Sequence, residues 1–176
     1  MKSISLTLVL LVGILVAGCA TFPKDDIEVA ADTDPNANFS DYKTYTWLGS
    51  AQVLDDPEGK WEAPGFDIDS LVTALIDKEL TEHGLQESDS QPDTLVAYAM
   101  GADMANMNLK YDATTKVDIL QNVPKAALVV VLLDAETEVV SWAAVATGDV
   151  KNKGDKVAKQ RISYTIKEMF KQFPKK

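Results

Sequence analysis

The chain has one cysteine, Cys19, and its place at the end of an apolar leader narrows the possible folds more than any other residue. Met1-Lys2-Ser3 is a short basic start. Ile4 to Val16 follows without a charge, and Ala17 and Gly18 are small. That order marks a secretory leader with its cleavage site. The apolar run is short for a membrane-spanning helix, which needs about 20 residues. Leu15-Val16-Ala17-Gly18-Cys19 reads as a lipobox, with cleavage between Gly18 and Cys19 and acylation of the cysteine, palmitate included. Burying acyl chains at about 0.8 kcal/mol per CH₂ makes a multiply acylated terminus a stable anchor. Residues 1–18 then leave the folding problem. Residues 19–26 become a lipidated tether, and residues 27–176 a single domain.

With its sulfur acylated, Cys19 leaves no thiol for a disulfide, a thiolate metal site or a nucleophile. The domain must stand on its core alone, which its length permits. Ala20 to Asp26 spans at most about 25 Å, so the domain sits close to the membrane. In such lipoproteins an Asp after the cysteine favours inner-membrane retention. Ala20 stands there, so the expected address is the outer membrane, on the periplasmic side. The chain has 17 basic and 27 acidic residues, a net charge of −10. That balance argues against nucleic acid as a partner, since phosphates attract Lys and Arg. It also argues against a polybasic grip on lipid headgroups.

Ile27 to Ala31 begins a short alternating strand. Asp32 to Asn38 is dense in turn formers. Tyr42-Lys43-Thr44-Tyr45-Thr46-Trp47 is aromatic, β-branched and of period two, hence a strand. Gly49 to Gly65 reads as a loop. In Phe66 to His83 the residues Ile68, Leu71, Val72, Leu75, Ile76 and Leu80 trace one apolar helical face. Asp67 suits its N-cap and Gly84 its C′ position. Thr94 to Met100 is a strand. Gly101 to Pro124 is too long for a bare loop, and implies a strand extension or flap with a short strand at Lys116–Leu120. Ala126 to Leu133 is a central strand, with Glu138 to Thr147 as its hairpin partner. Asp155 to Phe173 is a final helix with Ala158, Ile162, Ile166, Met169 and Phe173 on its buried stripe. The expected fold is α+β: a mainly antiparallel sheet with two helices packed on one face, a two-layer sandwich.

Several stretches together resemble a known family. They are Asp32-x-Asp34-Pro35, Asn38-Phe39-Ser40-Asp41-Tyr42-Lys43-Thr44-Tyr45-x-Trp47, Pro92-Asp93-x-Leu95-Val96-x-Tyr98, Leu128–Asp134 with Val140-x-Trp142, and Ile162–Pro174. In this order they resemble the bacterial lipoprotein family called domain of unknown function 4136. The family often has a basic residue after the closing Trp, where this chain has Ala143-Ala144. The resemblance implies a fold and an envelope address, and no catalytic residues.

No cofactor or metal site is expected. Asp32-x-Asp34-x-Asn36-x-Asn38 starts like a calcium loop, but Ala37 and Lys43 occupy the glycine and closing-acid positions, so it reads as a polar turn. Met100, Met104 and Met107 could offer thioethers to Cu(I), yet without His or Cys they read as pliable apolar filler. His83 is the single histidine and suits a helix C-terminus. Asp55-Asp56 and Asp67 with Asp69 are carboxylate pairs that an acidic surface also explains. Trp47 and Trp142 belong to strands. Trp61, in a polar loop, is the candidate contact point for a partner.

The residues favour a non-enzymatic binding or structural role in the cell envelope. The partners would be the membrane, through the anchor, and an envelope protein, peptidoglycan or a small ligand. That role calls for a groove or an exposed apolar surface. The alternatives are a carboxylate-dependent hydrolase, needing acids that converge in a pocket, and a carrier of an apolar ligand, needing a cavity of about 300 Å³ or more.

Overall fold

The computed structural model describes residues 22–112, 114 and 116–175. Gly18 and Cys19, and with them the lipobox, lie outside the described residues. The elements run β1 (Glu28–Thr33), β2 (Thr44–Asp55), α1 (Ile68–Glu82), β3 (Gln86–Glu87), β4 (Thr94–Asp103), β5 (Met107–Asp112), β6 (Val117–Asn122), β7 (Lys125–Asp134), β8 (Val140–Asp149) and α2 (Asp155–Phe170). Six strands form one sheet in the order β1-β8-β7-β4-β2-β3, and β5 and β6 pair as a separate hairpin. That hairpin is the flap anticipated between residues 101 and 124.

The sheet is mostly antiparallel, as expected, but it is mixed. β1–β8, β8–β7 and β7–β4 are antiparallel, whereas β2 runs parallel to both β4 and β3. The reason is α1. It separates β2 from β3 and β4, and a helical crossover returns the chain in the same direction. A second correction concerns Gly49–Asp55, read as loop. It continues β2, in register with β4 from Gly49–Ala97 to Asp55–Asp103 after a shift between Trp47 and Gly49.

Both helices contribute to one core. Val72, Ile76 and Leu80 of α1 and Ile166, Met169 and Phe170 of α2 join Tyr45, Val96, Tyr98, Leu128, Val130, Leu132, Trp142, Ala144 and Ala146 of the sheet. Trp142 is fully buried, its ring 5.2 Å from that of Phe170 and 5.1 Å from that of Phe173. Phe39 and Tyr42 close this end of the core.

The ends of α1 are sealed by its sequence. Asp67 Oδ1 accepts the Ser70 N–H at 3.1 Å, a side-chain N-cap. At the other end Gly84, with φ of 80°, donates to Thr81 O and Leu85 donates to Leu80 O. That is the Schellman pattern, with Leu85 buried against the helix as its apolar contact. His83 is the C-cap, its Nδ1 2.8 Å from Glu79 O and its ring packed near Phe170 and Phe173.

Candidate functional site

The core-facing residues of β7 and β8 shrink along the hairpin. Opposed pairs run Leu132–Trp142, Val130–Ala144, Leu128–Ala146 and Ala126–Gly148. At the first pair the core is filled by the indole of Trp142 and the phenyl rings of Phe170 and Phe173. At the last pair there is almost no side chain to fill it. Interiors are otherwise close-packed, so this taper leaves a gap. A groove of about 410 Å³ opens there. It is lined by Met100 and Leu128 of the sheet, Ile68 and Val72 of α1, and Ala158, Ile162 and Thr165 of α2. Met104 and Phe66 add to the apolar lining.

The stretch after β2 crosses this groove as a strap. Asp56 Oδ2 accepts the Trp61 N–H at 2.7 Å and Oδ1 accepts the Lys60 N–H at 2.8 Å. The strap's far end is tied to the start of α2. Asn152 Nδ2 donates to Glu62 at 2.7 Å, and the Gly65 N–H donates to Asp155 Oδ1 at 3.1 Å. Lys159 Nζ lies 4.7 Å from the Phe66 ring centre. Trp61 is therefore held at the groove, half-buried, among its lining residues.

One rim is charged and fully paired. Arg161 Nη2 donates to Asp26 Oδ2 at 2.7 Å and to Asp149 O at 3.0 Å. Arg161 Nη1 reaches Asp26 Oδ1 and the carbonyl of Pro23. Lys125 and Lys151 each donate to one oxygen of Asp149, at 2.7 and 2.8 Å. These lysines hold the Asp149 carboxyl down at about 2, against the modest upward push of burial. Burial acts upward on Asp26 too, but its Arg161 bond and the Asp149 N–H outweigh it and leave the pKa lowered.

A second concavity, about 630 Å³, lies at the packed end and is lined by Asp34, Asp41, Tyr42, Asp93, Asp134 and their neighbours. Its acids are structural staples. Asp93 Oδ2 accepts the N–H groups of Lys43 and Thr44 and the Thr44 hydroxyl, joining β2 to the start of β4. Asp134 Oδ1 accepts from Glu136 and Thr137, closing the β7–β8 turn, while its Oδ2 accepts the Tyr42 hydroxyl at 2.9 Å. Backbone N–H donors, from Lys43 and Thr137 first, hold both carboxyls below their ordinary range. Burial, helped by Asp134, pushes Tyr42 up to about 12. A carboxyl acting as a general acid near neutral pH is raised, whereas Asp93 and Asp134 are lowered.

The other sequence candidates resolve in the same way. Asp34 Oδ1 accepts from Asn36, and Asn38 bonds Asp41, as a polar turn requires. Asp67 caps α1, and Asp69 accepts from Ser50 and Tyr98. Trp47 is half-buried and donates Nε1 to Asp77 at 2.9 Å. Met100 and Met104 line the groove, whereas Met107 is exposed. No three His, Cys, Asp or Glu among the described residues come together as metal ligands. The size taper of β7 and β8, the signal for the groove, is visible in the sequence only once the strands are registered.

Comparisons with known proteins fit this fold. The model of a family described as domain of unknown function (DUF4136) matches residues 29–175. A solved DUF4136 family protein from Bacteroides thetaiotaomicron is 12% identical, with a TM-score of 0.56 over 85% of this chain and 96% of that one. A PDZ domain protein from Parabacteroides distasonis is 12% identical, with a TM-score of 0.51 over 88% of this chain and 38% of that one. At these identities the likeness concerns the fold alone. A search of curated proteins finds no significant match.

Proposed function

The chain belongs to the DUF4136 family, and from that premise we propose that it is a lipid-anchored envelope protein that binds an apolar chain in its groove. The anchor is Cys19, the address the periplasmic side of the outer membrane, and the role one of binding rather than catalysis. In this reading the sheet and the two helices form two layers, and the ligand lies between them where the small residues of β7 and β8 leave room.

The observation that carries it is the groove: about 410 Å³, walled by Ile68, Val72, Met100, Met104, Leu128 and Ile162. That volume lies in the usual range for small-molecule sites, roughly 300–1,000 Å³. An apolar space of this kind suits an alkyl or acyl chain, whose CH₂ groups leave water against Ile68, Val72, Met100 and Leu128. The leader supports the address. No helix among the described residues is long and apolar enough to cross a membrane.

The test is a titration with cis-parinaric acid, a fluorescent fatty acid, followed by displacement with palmitate. Saturable binding is expected. Ala158→Phe, which projects a ring from α2 into the groove, should abolish it while leaving the circular dichroism unchanged. Absence of saturable binding, together with native mass spectra showing bare protein, would overturn the proposal.

A further inference from the structure

The net charge of −10 conceals an uneven distribution. From Lys151 to Lys176 the chain has nine of its 17 basic residues and two of its 27 acids, Asp155 and Glu168. The structure gathers most of these cations on α2. Lys156, Ser163, Lys167 and Lys171 follow at steps of seven, four and four residues, which places them on one helical face. All four are exposed, away from the buried Ile166, Met169 and Phe170. Lys159, also exposed, flanks them over the Phe66 ring. Lys171 pairs with Glu168 at 2.6 Å. Lys156, Lys159 and Lys167 form no ion pair with a described residue. The neighbouring α1 has the reverse sign, with Asp69, Asp77, Glu79 and Glu82 against Lys78 alone. Of these acids Glu82, already bonded to Lys78 at 2.7 Å, also feels Lys167.

The same helix receives the start of the described chain. The Phe22 ring lies 5.8 Å from that of Tyr164, and Lys24 Nζ lies 4.7 Å from the Tyr164 ring centre, with the exposed Asp25 beside it. Arg161 holds Pro23 and Asp26. The chain toward Cys19 therefore leaves from α2. We propose that the Lys156–Lys167–Lys171 face of α2, flanked by Lys159 and Lys24, docks on the anionic phospholipid headgroups of the leaflet that holds the anchor. Clusters of four or more Lys and Arg on a helix are drawn to such headgroups. A soluble polyanion would satisfy the same charges, but a membrane is what the chain's own start brings to this face. The acids over the rest of the chain are repelled by the same leaflet, so attraction and repulsion turn the molecule the same way. The whole-chain balance weighs against a polybasic grip, and this one helix is the exception to it. The choice of partner rests on the lipid-anchored reading and does not involve the groove.

The experiment places the full chain in phosphatidylcholine vesicles with or without phosphatidylglycerol, acetylates it with acetic anhydride and reads each lysine by peptide mass spectrometry. Phosphatidylglycerol should slow acetylation of Lys156, Lys167 and Lys171 severalfold, and leave Lys43, exposed just before β2, unchanged. Salt at about 1 M, where screening shortens to about 3 Å, should cancel the protection. Lys156→Glu combined with Lys167→Glu should remove it from Lys159 and Lys171 with unchanged circular dichroism. The intact mass of the same sample reads the acyl group on Cys19. An unacylated chain that phosphatidylglycerol still protects would sink the anchor and keep the surface. Equal acetylation in the two kinds of vesicle, equal protection of Lys43, or protection as strong from soluble polyglutamate would overturn the proposal.

Discussion

Arg161 and Asp26 form a two-pronged ion pair that fastens the start of the described chain to α2, with Nη2–Oδ2 at 2.7 Å and Nη1–Oδ1 at 3.1 Å. The side chains are 11% and 18% exposed, so the pair is largely withdrawn from water. It lies directly on β8. A Cβ added at Gly148 would come 3.2 Å from Arg161 Nη2 and 3.3 Å from Asp26 Oδ2. Removing one partner strands the other charge. Arg161→Met should cost about 2–4 kcal/mol, slightly less than a fully buried pair, and Asp26→Asn somewhat less again. Urea denaturation would check this, and a loss below about 0.5 kcal/mol for Arg161→Met would show that water screens the pair.

The carboxylates on this rim make stability depend on acid. Asp149 is held at about 2 by hydrogen bonds from Lys125 and Lys151, and Asp26 is also lowered. A group with a depressed folded pKa contributes stability above its unfolded value, and loses it as pH falls through the folded one. The urea midpoint should therefore hold steady at neutral pH and fall between about pH 4 and pH 2. Asp149→Asn should be less stable at pH 7 and fall less steeply in acid. A variant with the same acid slope as wild type would assign the dependence to other groups.

Gly84 is a test of backbone rather than packing. Its φ of 80° is a conformation that L side chains rarely adopt, and its N–H closes the last turn of α1. Gly84→Ala should cost about 1 kcal/mol, without altering the buried Leu80 and Leu85 beside it. Thermal denaturation is sufficient to detect it. An unchanged midpoint would mean that the helix end relaxes to another cap.

These cases show which features local sequence encodes. The α1 boundaries were legible because Asp67, the apolar stripe and Gly84 act through neighbours three or four residues away. The β7–β8 hairpin was legible because a continuous apolar run needs a central place. The parallel β2–β4 pair was hidden, since direction depends on where a crossover lands, and no residue in β2 records it. The outer half of β2 looked like a loop because Gly49, Ser50 and Gln52 are poor strand formers. Pairing along β4 overrides that weak propensity. The place of the groove was not legible because it arises from the absence of bulk at Ala126, Ala146 and Gly148, and that absence matters only once register sets these residues on the core face. Asp93 and Asp134 belong to the stretches that carry the family resemblance, and the structure gives them backbone to hold.

The anchor itself makes the last prediction. The described chain begins at Phe22, whose ring lies 5.8 Å from that of Tyr164, and Arg161 grips Pro23 and Asp26 just after it. Two residues, Ala20 and Thr21, separate Phe22 from Cys19, and the three steps reach no more than about 11 Å. An acylated Cys19 would thus hold α2 and the Arg161 rim of the groove near the bilayer, within reach of apolar chains. On the proposed reading, Cys19→Ala removes the acyl acceptor and, with it, the signal for leader cleavage. In cells given labelled palmitate, wild type should carry label and fractionate with outer membrane. Cys19→Ala should carry none, and should appear unprocessed or in the soluble fraction. A Cys19→Ala protein that is processed and still sediments with membranes would sink the lipid anchor, while leaving the groove and its fatty-acid titration to be judged separately.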